Sequence, residues 1–133
     1  MGKHESPEVL VVEDEFSTRM VAADTISDMG LRVREAADAD EALQALKDHP
    51  EIGVLFTDVE MPGAMSGLDL AEQVHEDRPN VELIVTSGGT ALQDSELPDD
   101  GTFLCKPYHL NRLAEVVDQK VAKRSKESEP ESG

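Results

Sequence analysis

Tryptophan is absent, tyrosine occurs once and phenylalanine three times, so any core must be built from aliphatic side chains and methionine. A single cysteine, Cys105, leaves no partner for an intrachain disulfide and fits a reducing compartment. It lies in an apolar run and is expected to be a buried strand thiol rather than a reactive one. Basic residues are scarce. Twelve Lys and Arg stand against 29 Asp and Glu, a formal net charge of −17. That balance argues against DNA or an anionic membrane as partner, because both require a basic surface. No apolar run approaches the roughly 20 residues needed to cross a bilayer. Met1 to Pro7 is polar and unlike a secretory leader, so a soluble, cytoplasmic protein is expected.

What is present fits one domain. The 133 residues are enough for a proper core, and no internal repeat divides them. Residues 8–123 are read as the domain, with 1–7 and 124–133 as flexible, charged tails. Within the domain, short apolar runs alternate with helical patterns. Val9–Val12 is too short for a helix and reads as a strand buried on both faces. From Phe16 to Met29 the residues Phe16, Met20, Val21, Ala23 and Ile26 recur at helical spacing, which predicts that they face the core. Leu31–Ala36 alternates like an edge strand. Asp38 and Glu41 open a second helix with Ala42, Leu43, Ala45 and Leu46 inward. Ile52–Asp58 is a third strand, and Ser66 with Asp69 caps a helix running to about Asp77. Val81–Thr86 and Thr102–Cys105 are further strands, and His109–Lys123 carries Leu110, Leu113, Val117 and Val121 on one side of a last helix.

The alternation implies an α/β fold: a doubly wound, five-stranded parallel sheet with helices on both faces. One segment resists the pattern. Between Gly88 and Gly101 only Ala91, Leu92 and Leu97 are apolar and four acids crowd together, so a helix there is expected to be short or marginal.

The carboxyl ends of the strands carry the chemistry. The first ends in Glu13-Asp14, the third in Asp58, the fourth in Thr86-Ser87 and the fifth in Lys106-Pro107. In open α/β sheets ligands bind at this edge. Three carboxylates there suit a hard cation such as Mg²⁺, which takes oxygen ligands; Glu13, Asp14 and Asp58 offer side chains, and Glu60 a backbone carbonyl. Asp58 can act as a nucleophile toward phosphorus, with Lys106 and the Thr86 hydroxyl positioned to neutralise and bind the transferred oxygens. Each residue also has an ordinary reading. Asp58 caps turns, Lys106 suits a surface, Thr86 suits a strand, and Glu13-Asp14 suits a helix N-terminus.

Taken together, Val-Glu-Asp-Glu at 12–15, Thr-Asp-Val-Glu-Met-Pro-Gly at 57–63 with Gly67, Val-Thr-Ser-Gly at 85–88 and Lys-Pro-Tyr at 106–108 resemble a response-regulator receiver domain of two-component signalling. The resemblance covers roughly Glu8 to Lys123. It implies a flavodoxin-like sheet in the order 2-1-3-4-5 and phosphorylation on Asp58. It further implies Mg²⁺ held by Glu13, Asp14 and Asp58, a switch formed by Thr86 and Phe103, and Lys106 as the site lysine. The sequence departs from the family pattern where Glu13 stands for the more frequent Asp. The Met61–Gly67 loop is longer by one residue than in the chemotaxis-type member, and the Thr86–Lys106 segment is shorter.

The leading expectation is a stand-alone regulator that takes a phosphoryl group from a sensor histidine kinase or histidine phosphotransfer protein. It would then act on a downstream protein target or serve as a phosphate sink, as a monomer or weak dimer and not as an enzyme in its own right. Two alternatives stay open: an aspartyl-phosphate phosphatase, for which Glu60 stands at the spacing of a second acid, and a pseudo-receiver that is never phosphorylated.

Overall fold

The computed structural model describes residues 6–88, 97–98 and 101–128. The marginal helix expected between Gly88 and Gly101 falls on residues that lie largely outside that description. The described elements are β1 (Glu8–Val12), α1 (Phe16–Ser27), β2 (Val33–Ala36), α2 (Ala39–Asp48), β3 (Ile52–Asp58), α3 (Gly67–Asp77), β4 (Glu82–Ser87), β5 (Thr102–Cys105) and α4 (Leu110–Ser128). The five strands form one sheet in the order β2-β1-β3-β4-β5, and every pair is parallel. The expected architecture and strand order are therefore present.

Strand period and burial explain the two cores. Val9, Val11, Val54, Phe56 and Ile84 point to one face and pack with α1 and α4 through Ala22, Ile26, Leu113, Val116 and Val117. Leu10, Val12, Leu55, Leu83 and Val85 point to the other and pack with α2 and α3 through Ala42, Leu46, Leu70, Ala71 and Val74. Successive residues of a strand face opposite ways, so a central strand covered on both sides must be apolar throughout. The β3 pattern, buried at all seven positions, is the result. Leu97, on the β4–β5 connection, is also buried in the second of these cores.

Three expectations are corrected. Phe16, Met20 and Val21 do not face the core; they are 64%, 41% and 45% exposed, and α1 buries Ala22, Ala23 and Ile26 instead. Apolar residues lie around more of this helix than one face can bury, so spacing alone could not choose the stripe. Cys105 is exposed, not buried. It is the last residue of the edge strand β5. The last helix runs to Ser128, past the stop read at Lys123. Its apolar pattern fades after Val121, yet Lys123 ion-pairs with buried Glu82 at 3.4 Å and the Arg124 guanidinium donates to the Asn80 carbonyl, so polar contacts carry the helix onward.

The local starts and stops follow side-chain chemistry. The Asp38 carboxylate accepts the Glu41 N–H at 2.9 Å to cap α2, and Ser66 and Asp69 form a reciprocal capping box on α3. Gly67 opens α3 for a steric reason. A Cβ there would fall 1.9 Å from the Asp58 carbonyl oxygen, so only glycine lets α3 begin this close to the end of β3.

Candidate functional site

The sheet order brings the ends of β1, β3, β4 and β5 side by side, and the residues after them form one cleft. Asp58 ends β3 and is 4% exposed; Glu13 follows β1 and is 6% exposed; Asp14 next to it is exposed. One carboxylate oxygen from each of Glu13, Asp14 and Asp58 lies within 4.8 Å of the others. Octahedral Mg²⁺ with bonds of about 2.1 Å separates its ligand oxygens by roughly 3 to 4 Å, so this donor set fits a hard divalent cation after small side-chain adjustments. The Glu60 side chain is not part of the group.

Lys106, just beyond β5, reaches back over the cluster. Its Nζ donates to Asp58 Oδ2 at 3.1 Å and to Glu13 Oε1 at 3.5 Å. Burial alone would lower the ammonium pKa, but the hydrogen bond and charge of Asp58, then Glu13, outweigh it and hold the pKa above its ordinary value. Lys106 is thus a fixed cation. Glu13 shows the opposite balance. Burial, with the Asp58 charge adding to it, pushes its carboxyl up to about 7, against the Glu15 N–H and Lys106, which favour the ionised form. A buried carboxylate beside another carboxylate is a group that gains much from a cation. The Lys106-Pro107 peptide bond is cis.

Two expected participants stand apart from the cluster. The Thr86 hydroxyl donates to the Leu104 carbonyl at 2.6 Å, toward β5 and not toward Asp58. Phe103, paired in register with Val85, is half-buried against the core. Glu60 also makes N–H and side-chain contacts at the site. Its N–H donates to Asp58 Oδ1 at 3.3 Å, while its carboxylate accepts the Ser87 hydroxyl at 2.5 Å.

Sequence reasoning missed Arg19. Its guanidinium donates to the Glu13 carbonyl at 2.8 Å and pairs with Glu35 on β2 at 3.1 Å, tying the acidic loop to the sheet edge. No local pattern marks it, because the contact spans six residues across a turn. Tyr108 closes the Lys-Pro-Tyr motif. It packs edge-on against Phe56, with ring centroids 6.0 Å apart, and seats the chain after Pro107.

Comparison with known proteins agrees with this geometry. Residues 9–118 match the family described as the response regulator receiver domain. The response regulator receiver protein CpdR of Brucella abortus is 28% identical over 84% of this chain and 93% of its own length. The sensor kinase CckA of the same organism is 34% identical over 90% of this chain, which spans only 13% of that kinase. A crystal structure of a response regulator receiver protein from Pseudomonas putida superimposes with a TM-score of 0.77 at 31% identity, covering 88% of this chain and 99% of that one. With the sheet order, the acidic cluster and these relatives in agreement, the chain belongs to the response regulator receiver domain family of two-component signalling.

Proposed function

We propose that Asp58 is a phosphoacceptor, taking its phosphoryl group from a phosphohistidine on a sensor histidine kinase or histidine phosphotransfer protein. The observation that carries this reading is the Lys106 ammonium, 3.1 Å from Asp58 Oδ2 at the rim of three clustered carboxylates. A buried aspartate flanked by both a fixed cation and a cation-binding acid pair is arranged for a nucleophile that must accept a highly charged group.

In the transfer, an Asp58 carboxylate oxygen forms a bond to phosphorus while the P–N bond of the donor breaks. The electron pair of that bond returns to the imidazole nitrogen. Negative charge spreads over the phosphoryl oxygens, so catalysis is positioning and neutralisation. Glu13, Asp14 and Asp58, with the Glu60 carbonyl, would hold Mg²⁺, which would supply part of that neutralisation. Lys106 exchanges its hydrogen bond with Asp58 for one to the incoming group. Thr86 turns its hydroxyl from Leu104 toward the phosphoryl oxygens, and Phe103, one residue from Leu104 on the same strand, responds to that change. Such a protein assists its own phosphorylation and dephosphorylation rather than turning over a separate substrate. Output is by binding a protein target or by draining phosphate.

The exposed Phe16, Met20 and Val21 of α1 and Leu110 of α4 favour a protein donor. Val21 and Leu110 line, with Lys106 and Gly88, an open depression beside the site, where a donor helix could seat an apolar stripe.

Treatment with acetyl phosphate and Mg²⁺ is expected to add the mass of one phosphoryl group to the protein, and Asp58→Asn to abolish the gain. Undiminished labelling of the variant would place the acceptor elsewhere. Continuous turnover would instead favour a phosphatase, and no labelling of the native chain a pseudo-receiver.

A further inference from the structure

Glu60 is exposed, but its carboxylate is tied down. It reaches from the β3–α3 loop to the end of β4, where Ser87 Oγ donates to its Oε2 at 2.5 Å. Ser87 is fully buried, and its carbonyl accepts the Lys106 N–H at 3.0 Å. It directly follows Thr86, which is paired in register with Asp58. At its other end Glu60 is fixed by its own N–H on Asp58 Oδ1. The Glu60–Ser87 bridge thus joins the two walls of the cleft at its rim, with both feet on residues adjoining Asp58 and Lys106.

We propose that Ser87 is a positioning residue that latches the Glu60 carboxylate across the mouth of the phosphorylation site, where it slows hydrolysis of the acyl phosphate. The proposal rests on Asp58 as phosphoacceptor. In that hydrolysis a water oxygen bonds to phosphorus, the bond from phosphorus to the Asp58 oxygen breaks, and the electron pair returns to the carboxylate. The departing water proton goes to solvent or to the phosphate. The attacking water must enter through the mouth. A carboxylate pinned there occupies part of that path and repels anionic small donors that use it. Glu60 is otherwise an exposed side chain, and once released it samples solvent, where its charge is screened. The buried hydroxyl therefore converts a mobile surface charge into a fixed one.

The test is a double-mutant cycle on the native chain, labelled with acetyl phosphate and Mg²⁺ and then followed by intact mass after donor removal. Ser87→Ala is expected to speed loss of the phosphoryl group about fivefold, the scale of one partly exposed polar contact. Glu60→Ala is expected to do the same, and Ser87→Ala in the Glu60→Ala background to add nothing. Melting temperature recorded for each variant separates this from general loosening of the fold. Unchanged decay in Ser87→Ala, or an equal effect of Ser87→Ala with and without Glu60, would overturn the latch while leaving the phosphoacceptor reading intact. Failure of the native chain to label would overturn both together.

Discussion

At the scale of single residues, the site is a balance between burial and charge. Glu13 is the clearest case, since its carboxyl is raised from 4.5 to about 7. The folded state therefore binds this proton more tightly than the unfolded chain. The resulting stabilisation is fully present below about 4.5 and is lost as pH rises through about 7. In a chelator, native protein minus Glu13→Gln should show a relative loss of about 1–3 kcal/mol across that window, read from denaturant melts. Mg²⁺ should remove the loss, because the cation favours the ionised carboxylate. Parallel pH profiles for the two proteins would show that Glu13 is not the titrating group. Sequence identified Glu13, Asp14, Asp58 and Lys106 because each follows the apolar run of a strand. It could not show that Thr86 points at Leu104, or that Glu60 is held by Ser87, because rotamers depend on neighbours distant in the chain.

At the scale of elements, Arg78 shows how connections are fixed without an apolar contact. Its guanidinium donates to the carbonyls of Leu46, His49, Pro50 and Ile52, at 2.7, 3.4, 2.8 and 2.6 Å. The end of α3 thereby satisfies the orphan carbonyls at the end of α2 and the turn into β3. Arg78→Ala should cost about 1–3 kcal/mol by chemical denaturation, since partly buried acceptors lose a charged donor. Arg78→Lys should recover little, because one ammonium cannot serve a planar fork of acceptors. Full recovery by lysine would mean that charge alone matters there. The α1 stripe belongs to this scale as well. Its spacing fitted a core face at Phe16, Met20 and Val21, but the face turned to the sheet is that of Ala22, Ala23 and Ile26, and Phe16, Met20 and Val21 are left outside. Helical period identifies a helix reliably and identifies its buried face only when polar residues mark the other side.

At the scale of the whole molecule, 29 acids against 12 bases leave a net charge of −17 on one small domain. Pairing relieves some of it. Glu8 is held by Arg34 at 2.7 Å, and Glu82 lies by Lys120 and Lys123. The remainder repels itself, and compact folding concentrates the repulsion. Melting temperature should therefore rise as sodium chloride is raised from about 0.05 to about 0.5 M, a range over which the screening length falls from above to below 10 Å. At matched ionic strength Mg²⁺ should add a further rise that Glu13→Ala with Asp14→Ala abolishes. A melting temperature that falls with salt would mean that the ion pairs outweigh the repulsion.

The sequence by itself determined the sheet, its parallel sense, and which residues stand at its carboxyl edge. Strand burial and turn chemistry are local, and right-handed crossovers leave few ways to join such elements. Tertiary structure alone decided the rest. It chose which face of α1 is buried and left Cys105 open at a sheet edge. It also carried α4 onward through polar contacts, and set which hydroxyl meets which carboxylate in the cleft. Those outcomes rest on contacts between elements distant in the chain, up to 93 residues apart in the case of Lys106 and Glu13, and no local pattern records a contact at that distance.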